Sequence, residues 1–541
     1  LISYIYLGFI VMNISRKLLL LSPRIGPQTS SLQTSAVRLW EKYDNERHYE
    51  PGEDPMGRLW HGLTYDFRRW KTRYNKARDD AFKRRNPIAH MKRDVLNHEL
   101  LPYRTEVLII GGGLTGSSTA YWVKERFRDE DFHVHVIESP HKFCESRSML
   151  SNGPITQQFS VPEFVEMSLF SAEFLKHAGE HLKVLDNDPP DINLLPVGFM
   201  YLARNQEEAD VMKENWKMQI EKGAKVAYYA QTELKNRFPF MNFDDIVAGT
   251  YGLENEGLID TWQLLSAIRE KNITLGVTYV KGTVEGFAFQ RQIGLPDAHY
   301  YIQNVEEADQ NALSKRRLTG VYIRPQMVGA SARHVRSHFI VNCAGPWAGE
   351  ISRLAGFGSG PGLSSIPIPI EPRKRVNFVI HAPDVPSFDI PAFTDPEGVF
   401  CRPHDAGNNF VCGRIPTRSD DAKTDHSDMS IDYGEFYDRI WPILVSRIPN
   451  FKNAKVINAW SMYNDVNTFD DIPILSDHLQ FPNFYVMAGF GNYGPQMSIA
   501  AGKLFSEKIF DGAYTTTNVR KYDMRRIMHG NKIHEPLKCS V

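Results

Sequence analysis

Cysteine is scarce in this chain. Cys144, Cys343, Cys401, Cys412 and Cys539 are the only five in 541 residues, odd in number and scattered. Without a C-x-x-C pair or a dense set, they support neither a disulfide framework nor a zinc site, and they suit a reducing compartment. No metal is expected. Excess charge is missing too: 63 Lys and Arg against 64 Asp and Glu leave a net charge of -1. Such a balance offers nucleic acid no general attraction. Long apolar runs are also lacking. Leu1 to Met12 is almost wholly apolar, but a bilayer span takes roughly twenty such residues. Neither an internal repeat nor a low-complexity tract interrupts the sequence. What remains is ordinary globular composition, 42% hydrophobic and 23% charged, at a length that predicts roughly three domain-sized units.

The first part of the chain reads as targeting and extension. Met12 is a candidate initiator, and from there to Trp40 no acidic residue occurs, while Arg16, Lys17, Arg24 and Arg38 stand among Ser, Thr, Gln and Leu. That composition predicts a mitochondrial import segment over 1–40. The rival is a secretory signal built on Leu18 to Leu21, whose apolar core is short. Residues 41–103 form a basic extension, with a cluster from Arg68 to Arg93 and helical spacing around Tyr65 to Phe82. It would rest on an anionic membrane surface or an acidic partner, or else pack as a solvated helix on the domain behind it. No nucleic-acid-binding fold is recognisable in it.

From Thr105 the pattern sharpens. Val107 to Ile110 is a β-branched, apolar run that stops at Gly111-Gly112-Gly113-Leu114-Thr115-Gly116, with the spacing G-x-G-x-x-G. A helix is expected to about Arg126, then a strand from His133 to Ile137 ending on Glu138. In a dinucleotide site Gly111 allows the tight turn, Gly113 lets backbone approach a pyrophosphate, and Gly116 lets helix and strand pack closely. The helix start near Gly116 offers unpaired N–H groups to phosphates, and Glu138 would accept hydrogen bonds from a ribose. The bland alternative is a βαβ unit with a glycine turn and no ligand.

Two further sites repeat the strand-to-small-residue pattern. Phe339 to Trp347 reads FIVNCAGPW, and Asn483 to Gly494 reads NFYVMAGFGNYG before a small-residue-rich helix from Pro495 to Phe510. Between them Val376–Ala382, Gly398–Arg402 and Phe410–Arg414 predict strands of a mixed or antiparallel sheet. Cys144 to Ser160 reads as a polar loop, and Gln290 to Leu318 as a surface hairpin or insertion.

These glycine sites, in this order, resemble the D-amino-acid oxidase and glycine oxidase family of flavoproteins over about Thr105 to Phe510. The segments TQQFS at Thr156, EMSLFSAEFL at Glu166, EPRKRV at Glu371 and NTFD at Asn467 resemble a mitochondrial branch of that family associated with assembly of respiratory complex I. The resemblance implies an α/β fold, with a Rossmann-like FAD domain (about 104–190, 250–370 and 480–515) interleaved with a mixed-sheet substrate domain (about 191–249 and 371–479). It implies that Gly111, Gly113, Leu114, Thr115, Gly116 and Glu138 hold the ADP half of FAD, with Arg147 and Ser148 in the loop crossing the cofactor. Val284 would meet the adenine side, and Ala344, Gly345 and Trp347 the pyrophosphate and ribityl chain. Gly489, Asn492, Gly494, Pro495 and Gln496 would reach the isoalloxazine ring.

By the same resemblance Arg402 would hold a substrate carboxylate, Tyr463 would donate a hydrogen bond, and Lys374 or Arg375 would border the flavin. The plain alternative is that strand arginines pair with carboxylates and that Tyr463 is packed. The chain departs from the family pattern at Gly489-Phe490-Gly491-Asn492-Tyr493-Gly494, where relatives often carry GFSGHG, and at Arg147-Ser148-Met149 and Asn152-Gly153-Pro154. No His or Cys matches a covalent flavin anchor, so FAD is expected to be non-covalent. The implied role is support of complex I assembly at the matrix face of the inner membrane, with complex I subunits or assembly intermediates as partners. The alternative is a free-standing amine or N-methyl amino acid oxidoreductase acting on a small amine.

Overall fold

In a computed structural model, the structure describes residues 101–535 apart from 129–131, 185–187, 189, 193, 292–315, 327–330, 361 and 388, together with isolated positions between 67 and 85. The import segment therefore lies outside the described residues, as does most of the expected hairpin at 290–318. The chain forms two compact units, residues 1–90 and 91–541. In the first, Phe67, Trp70 and Tyr74 are exposed, and the Trp70 and Tyr74 rings stack with centroids 5.6 Å apart.

The second unit begins with β1 (Arg104–Ile110), α1 (Leu114–Arg126) and β2 (Val134–Glu138). A short helix Arg147–Leu150, α2, follows and lies within the stretch expected to be loop. Next come α3 (Pro162–Lys176), β3 (Phe199–Ala203), α4 (Gln206–Glu221), β4 (Val226–Ala230), β5 (Ala248–Gly252) and α5 (Thr261–Thr274). The long strands β6 (Thr278–Arg291), β7 (Arg316–Pro325) and β8 (Arg333–Asn342) lead to α6 (Ala348–Leu354). The remainder is β9 (Ile370–His381), β10 (Ala392–Thr394), β11 (Val399–Pro403), β12 (Asn409–Arg414), β13 (Lys455–Asn467), β14 (Ile474–Asp477), β15 (Phe484–Ala488) and α7 (Gly494–Ser506).

Two large sheets result. In the seven-stranded sheet, β1 lies parallel between β2 and β8, with Val107 opposite both Val134 and Phe339. Parallel pairing continues from β2 to β6 and from β8 to β15, and β14 closes one edge antiparallel to β15. β7 runs antiparallel to both β6 and β8. Successive β1 side chains point to opposite faces, and both faces are covered. Val107 and Ile109 pack with Ala120, Val123 and Leu504, while Leu108 and Ile110 pack with Ala348 and Ile351. A parallel sheet buried on both sides needs this unbroken apolar run. The small residues early in α1 let α7 come close, since a Cβ on Gly502 would stand 2.6 Å from the Ser118 carbonyl carbon.

The eight-stranded sheet runs β13-β9-β12-β11-β10-β3-β5-β4, antiparallel except where β3 meets β10. One face carries Phe378, Cys401 and Cys412 onto Phe436, Leu444 and Phe451. The other presents Phe199, Tyr201 and Phe400 to a cluster that includes Phe490 and Tyr493. Two boundaries differ from expectation. β14, within 371–479, joins the seven-stranded sheet, and residues 250–252 complete β5 of the eight-stranded one. Chain order alone hides such exchanges, because strand pairing and not proximity in sequence decides membership.

Candidate cofactor and active site

At the end of β1 the backbone turns with Gly111 at φ 106°, a region costly for any residue with a Cβ. A Cβ there would meet the Cys343 carbonyl oxygen at 2.3 Å, and one on Gly116 would meet the Gly111 oxygen at 1.9 Å. The turn and the start of α1 are thus closed to larger residues by backbone. The α1 N-cap is Gly113, with no side-chain cap, although the Leu114 N–H donates to Ser148 Oγ at 3.1 Å. Glu138, at the end of β2, is buried. Burial pushes its carboxyl upward, opposed by Arg269, whose Nη1 stands 3.1 Å from Glu138 Oε2. The Arg269 guanidinium also lies 4.7 Å from the Tyr279 ring centre and 5.2 Å from that of Phe143.

These elements wall an open cleft. It brings together Gly111, Gly113, Leu114, Thr115, Glu138, Arg147, Ser148, Val284, Ala344, Gly345, Trp347, Gly494 and Pro495. Gly116 supports the turn from behind. Gly489, Asn492 and Gln496 stand just outside the wall: the Gly489 N–H donates to Asp465 Oδ2 at 2.8 Å, Asn492 accepts from Arg147, and Gln496 Oε1 accepts from the Thr156 N–H at 2.8 Å. A Cβ built on Gly345 meets nothing within 4 Å, so that glycine borders open space. A cleft with a glycine turn, a helix start and a buried carboxylate at its end fits the ADP portion of a dinucleotide.

Sequence reasoning missed part of the wall. Asp465, Cys343, Met487 and Lys142 also line it. Asp465 is buried, and its Oδ2 accepts from the N–H groups of Gly489 and Phe490 at 2.8 and 2.9 Å. Burial raises its carboxyl to about 6, against those donors and Arg147. The signal available for it was a carboxylate inside a strand, within YNDVN.

The four catalytic candidates do not line this cleft. Arg402, on β11, is 8% exposed. Its Nη1 donates to the Pro403 carbonyl at 3.1 Å and its Nε has no hydrogen-bond partner. Burial brings its pKa down to about 10, which leaves it charged. Tyr463 sits edge-on to Trp347 with centroids 5.9 Å apart, and burial raises its phenol. Arg375 is tied to Asp421 Oδ1 at 2.6 Å and Lys374 to the Ser430 carbonyl at 2.5 Å. Arg375 thus pairs with a carboxylate, whereas Lys374 is held by a backbone carbonyl.

A family model described as FAD dependent oxidoreductase matches residues 106–508. The chain belongs to the FAD-dependent oxidoreductase family. Its cofactor class is FAD. The chain is 35% identical over 439 residues to a Bos taurus protein called FAD-dependent oxidoreductase domain-containing protein 1, covering 81% of this chain and 87% of that one. A Xenopus laevis protein of the same description is 36% identical over 432 residues, covering 79% and 83%. Among solved structures, L-proline dehydrogenase from P. horikoshii superposes with a TM-score of 0.62 at 21% identity, over 80% of this chain and all of that one. That likeness establishes the shared fold of this FAD-dependent oxidoreductase. The D-amino-acid oxidase resemblance and the Rossmann-like FAD domain stand on these findings.

Proposed function

We propose that the protein removes hydride from a carbon beside nitrogen in a small amine or N-methyl amino acid, with non-covalent FAD as the acceptor. Arg402 carries this reading. It lies two residues from Phe400 on β11, so both point to the same face of the sheet, the face whose Phe400 belongs to the same buried cluster as Phe490 and Tyr493. A buried guanidinium with an unpartnered Nε is suited to a carboxylate, which it can grip through two parallel hydrogen bonds. FAD supplies the hydride acceptor when bound. Arg402 binds and orients the substrate, and the packed sheet face excludes water around it. Arg402→Ala should retain FAD and lose at least tenfold in anaerobic flavin reduction by a responsive amine. Unchanged reduction, or no reduction of wild-type protein by any amine or amino acid in a broad panel, would sink the reading.

We propose as a second role support of the assembly or stability of respiratory complex I in mitochondria. It rests on the four resembling segments. The exposed Phe67, Trp70 and Tyr74, set among the basic residues of the extension, favour peripheral attachment to the inner membrane. Removing the protein from cells should lower assembled complex I and spare the other respiratory complexes, and an unaltered complex I level would exclude this role. Rescue of assembly by Arg402→Ala would separate it from catalysis.

A further inference from the structure

Glu256 is a buried carboxylate outside the cofactor cleft, in the stretch between β5 and α5. It is 3% exposed. Its Oε1 accepts from the Gln157 N–H at 2.8 Å and from the Thr156 hydroxyl at 3.2 Å. Its Oε2 accepts from Gln158 Nε2 at 2.9 Å and from the Phe199 N–H at 3.2 Å. All four donors are uncharged. Burial pushes the carboxyl up to about 7, and these donors act against the rise. Backbone makes room for the group, since a Cβ on Gly252 of β5 would stand 1.8 Å from Oε2. An ionised carboxylate has lone pairs for four donors and no proton of its own. The residue type matches the place.

From Glu256 the bonds lead in two directions. Towards the cofactor, the Thr156 N–H donates to Gln496 Oε1 at 2.8 Å. Gln496 is in the first turn of α7, whose Gly494 and Pro495 line the cleft. Towards the substrate sheet, Phe199 opens β3, and Gln158 Nε2 donates to its carbonyl as well, at 2.9 Å. Phe199 stands opposite Ala392 of β10, and Phe393 stands opposite Cys401 of β11. Carried one residue further, the second register sets Ala392 beside Arg402. Phe199 and Arg402 therefore share a row and a face of the sheet, two strands or about 10 Å apart. One side chain joins the start of α7 to the sheet that carries Arg402.

Resting on the proposed function, we infer that Glu256 is a positioning residue that sets the distance between the substrate held by Arg402 and the cofactor in the cleft. The step it serves breaks the C–H bond beside nitrogen. The electron pair and the proton pass together as hydride to the flavin, and the amine is left as an iminium. Transfer of this kind depends on near contact, and a misplacement of ~1 Å costs about a hundredfold in rate. Glu256 touches neither substrate nor cofactor. It acts by holding residues 156–158 to β3 on one side and, through Thr156, to α7 on the other.

The test compares the full-length FAD-loaded wild type with Glu256→Gln. The variant keeps the volume and one oxygen, but its amide N–H groups would face Gln158 Nε2 and the Phe199 N–H, which are donors themselves. The link to β3 is lost, while FAD should stay bound because Glu256 is no part of the cleft wall. Flavin bleaching is followed by anaerobic stopped flow with N-methylglycine, N-methylalanine and L-proline, at about pH 8.5 so that the wild-type carboxyl is ionised. With the fastest of the three, the rate constant at saturation should fall at least about tenfold. The half-saturating concentration should move less than about threefold. A fold that is merely weakened lowers the amplitude, since fewer molecules hold FAD, and leaves the rate constant unchanged. Gln158→Met cuts the same link from its other end and should reproduce the loss, which keeps the test decisive if Glu256→Gln does not fold. A wild-type rate constant in the folded variants overturns the inference, and so does a loss confined to amplitude or to substrate affinity. No reduction of wild-type flavin by these or by any amine of a broad panel overturns the proposed function and this inference together.

Discussion

Gly116 shows how little room single residues have here. Its missing Cβ would lie 1.9 Å from the Gly111 oxygen, and backbone cannot swing aside as a flexible side chain would. Gly116→Ala should therefore destabilise the protein by ~1–3 kcal/mol, as overpacking does, and release FAD, both measurable by thermal unfolding and by flavin absorbance after gel filtration. Asp465 makes a different kind of prediction. Burial raises its carboxyl from 3.8 to about 6 in the folded protein. The folded state then holds a proton that the unfolded chain releases. The contribution to stability is full below about pH 4 and is lost as pH rises through about 6. Asp465→Asn keeps an oxygen for the Gly489 and Phe490 N–H groups and removes the titration. Denaturation in urea across that window should show a flatter stability profile for the variant, with a difference on the order of 1–3 kcal/mol by its end.

Among the elements, α5 couples helix stability to the cofactor cleft. Asp260 caps it, its Oδ1 accepting from the N–H groups of Trp262 and Gln263 at 2.9 and 3.1 Å. Two turns on, Arg269 reaches Glu138. Asp260→Ala should cost about 1 kcal/mol in denaturant unfolding and weaken FAD binding, because the frayed helix no longer holds Arg269 beside Glu138 at the cleft. The helix spans Thr261–Thr274. Nothing in a helical arginine tells which strand end it will face, so the sequence held no signal for the place of Arg269.

For the whole molecule, residues 91–541 form a compact unit of their own that contains both sheets and every wall of the cleft. A fragment starting at Met91 should therefore fold, retain FAD and melt close to the full chain. A colourless or unfolded fragment would show that residues 1–90 complete the fold. Within the larger unit an ion cluster ties the region around the eight-stranded sheet together: buried Arg447 meets buried Asp395 at 2.7 Å and exposed Asp245 at 2.8 Å. Breaking such a pair from one side leaves an uncompensated charge, so integrity of this region depends on residues far apart in sequence.

The chain order by itself determined the first βαβ unit, its glycine turn and Glu138, because all of these obey local rules: β-branched runs make buried strands, and only glycine fits a turn closed by backbone. It likewise marked Ala344, Gly345 and the Gly489–Gly494 turn, where strands run out into small residues. Tertiary structure alone decided that Asp465 from β13 enters the cleft, that Arg375 is spent on Asp421 while Arg402 keeps an open Nε, and that β14 crosses to the other sheet. Those outcomes depend on which strands pair and on how burial redistributes charge between groups hundreds of residues apart, and no local pattern encodes either.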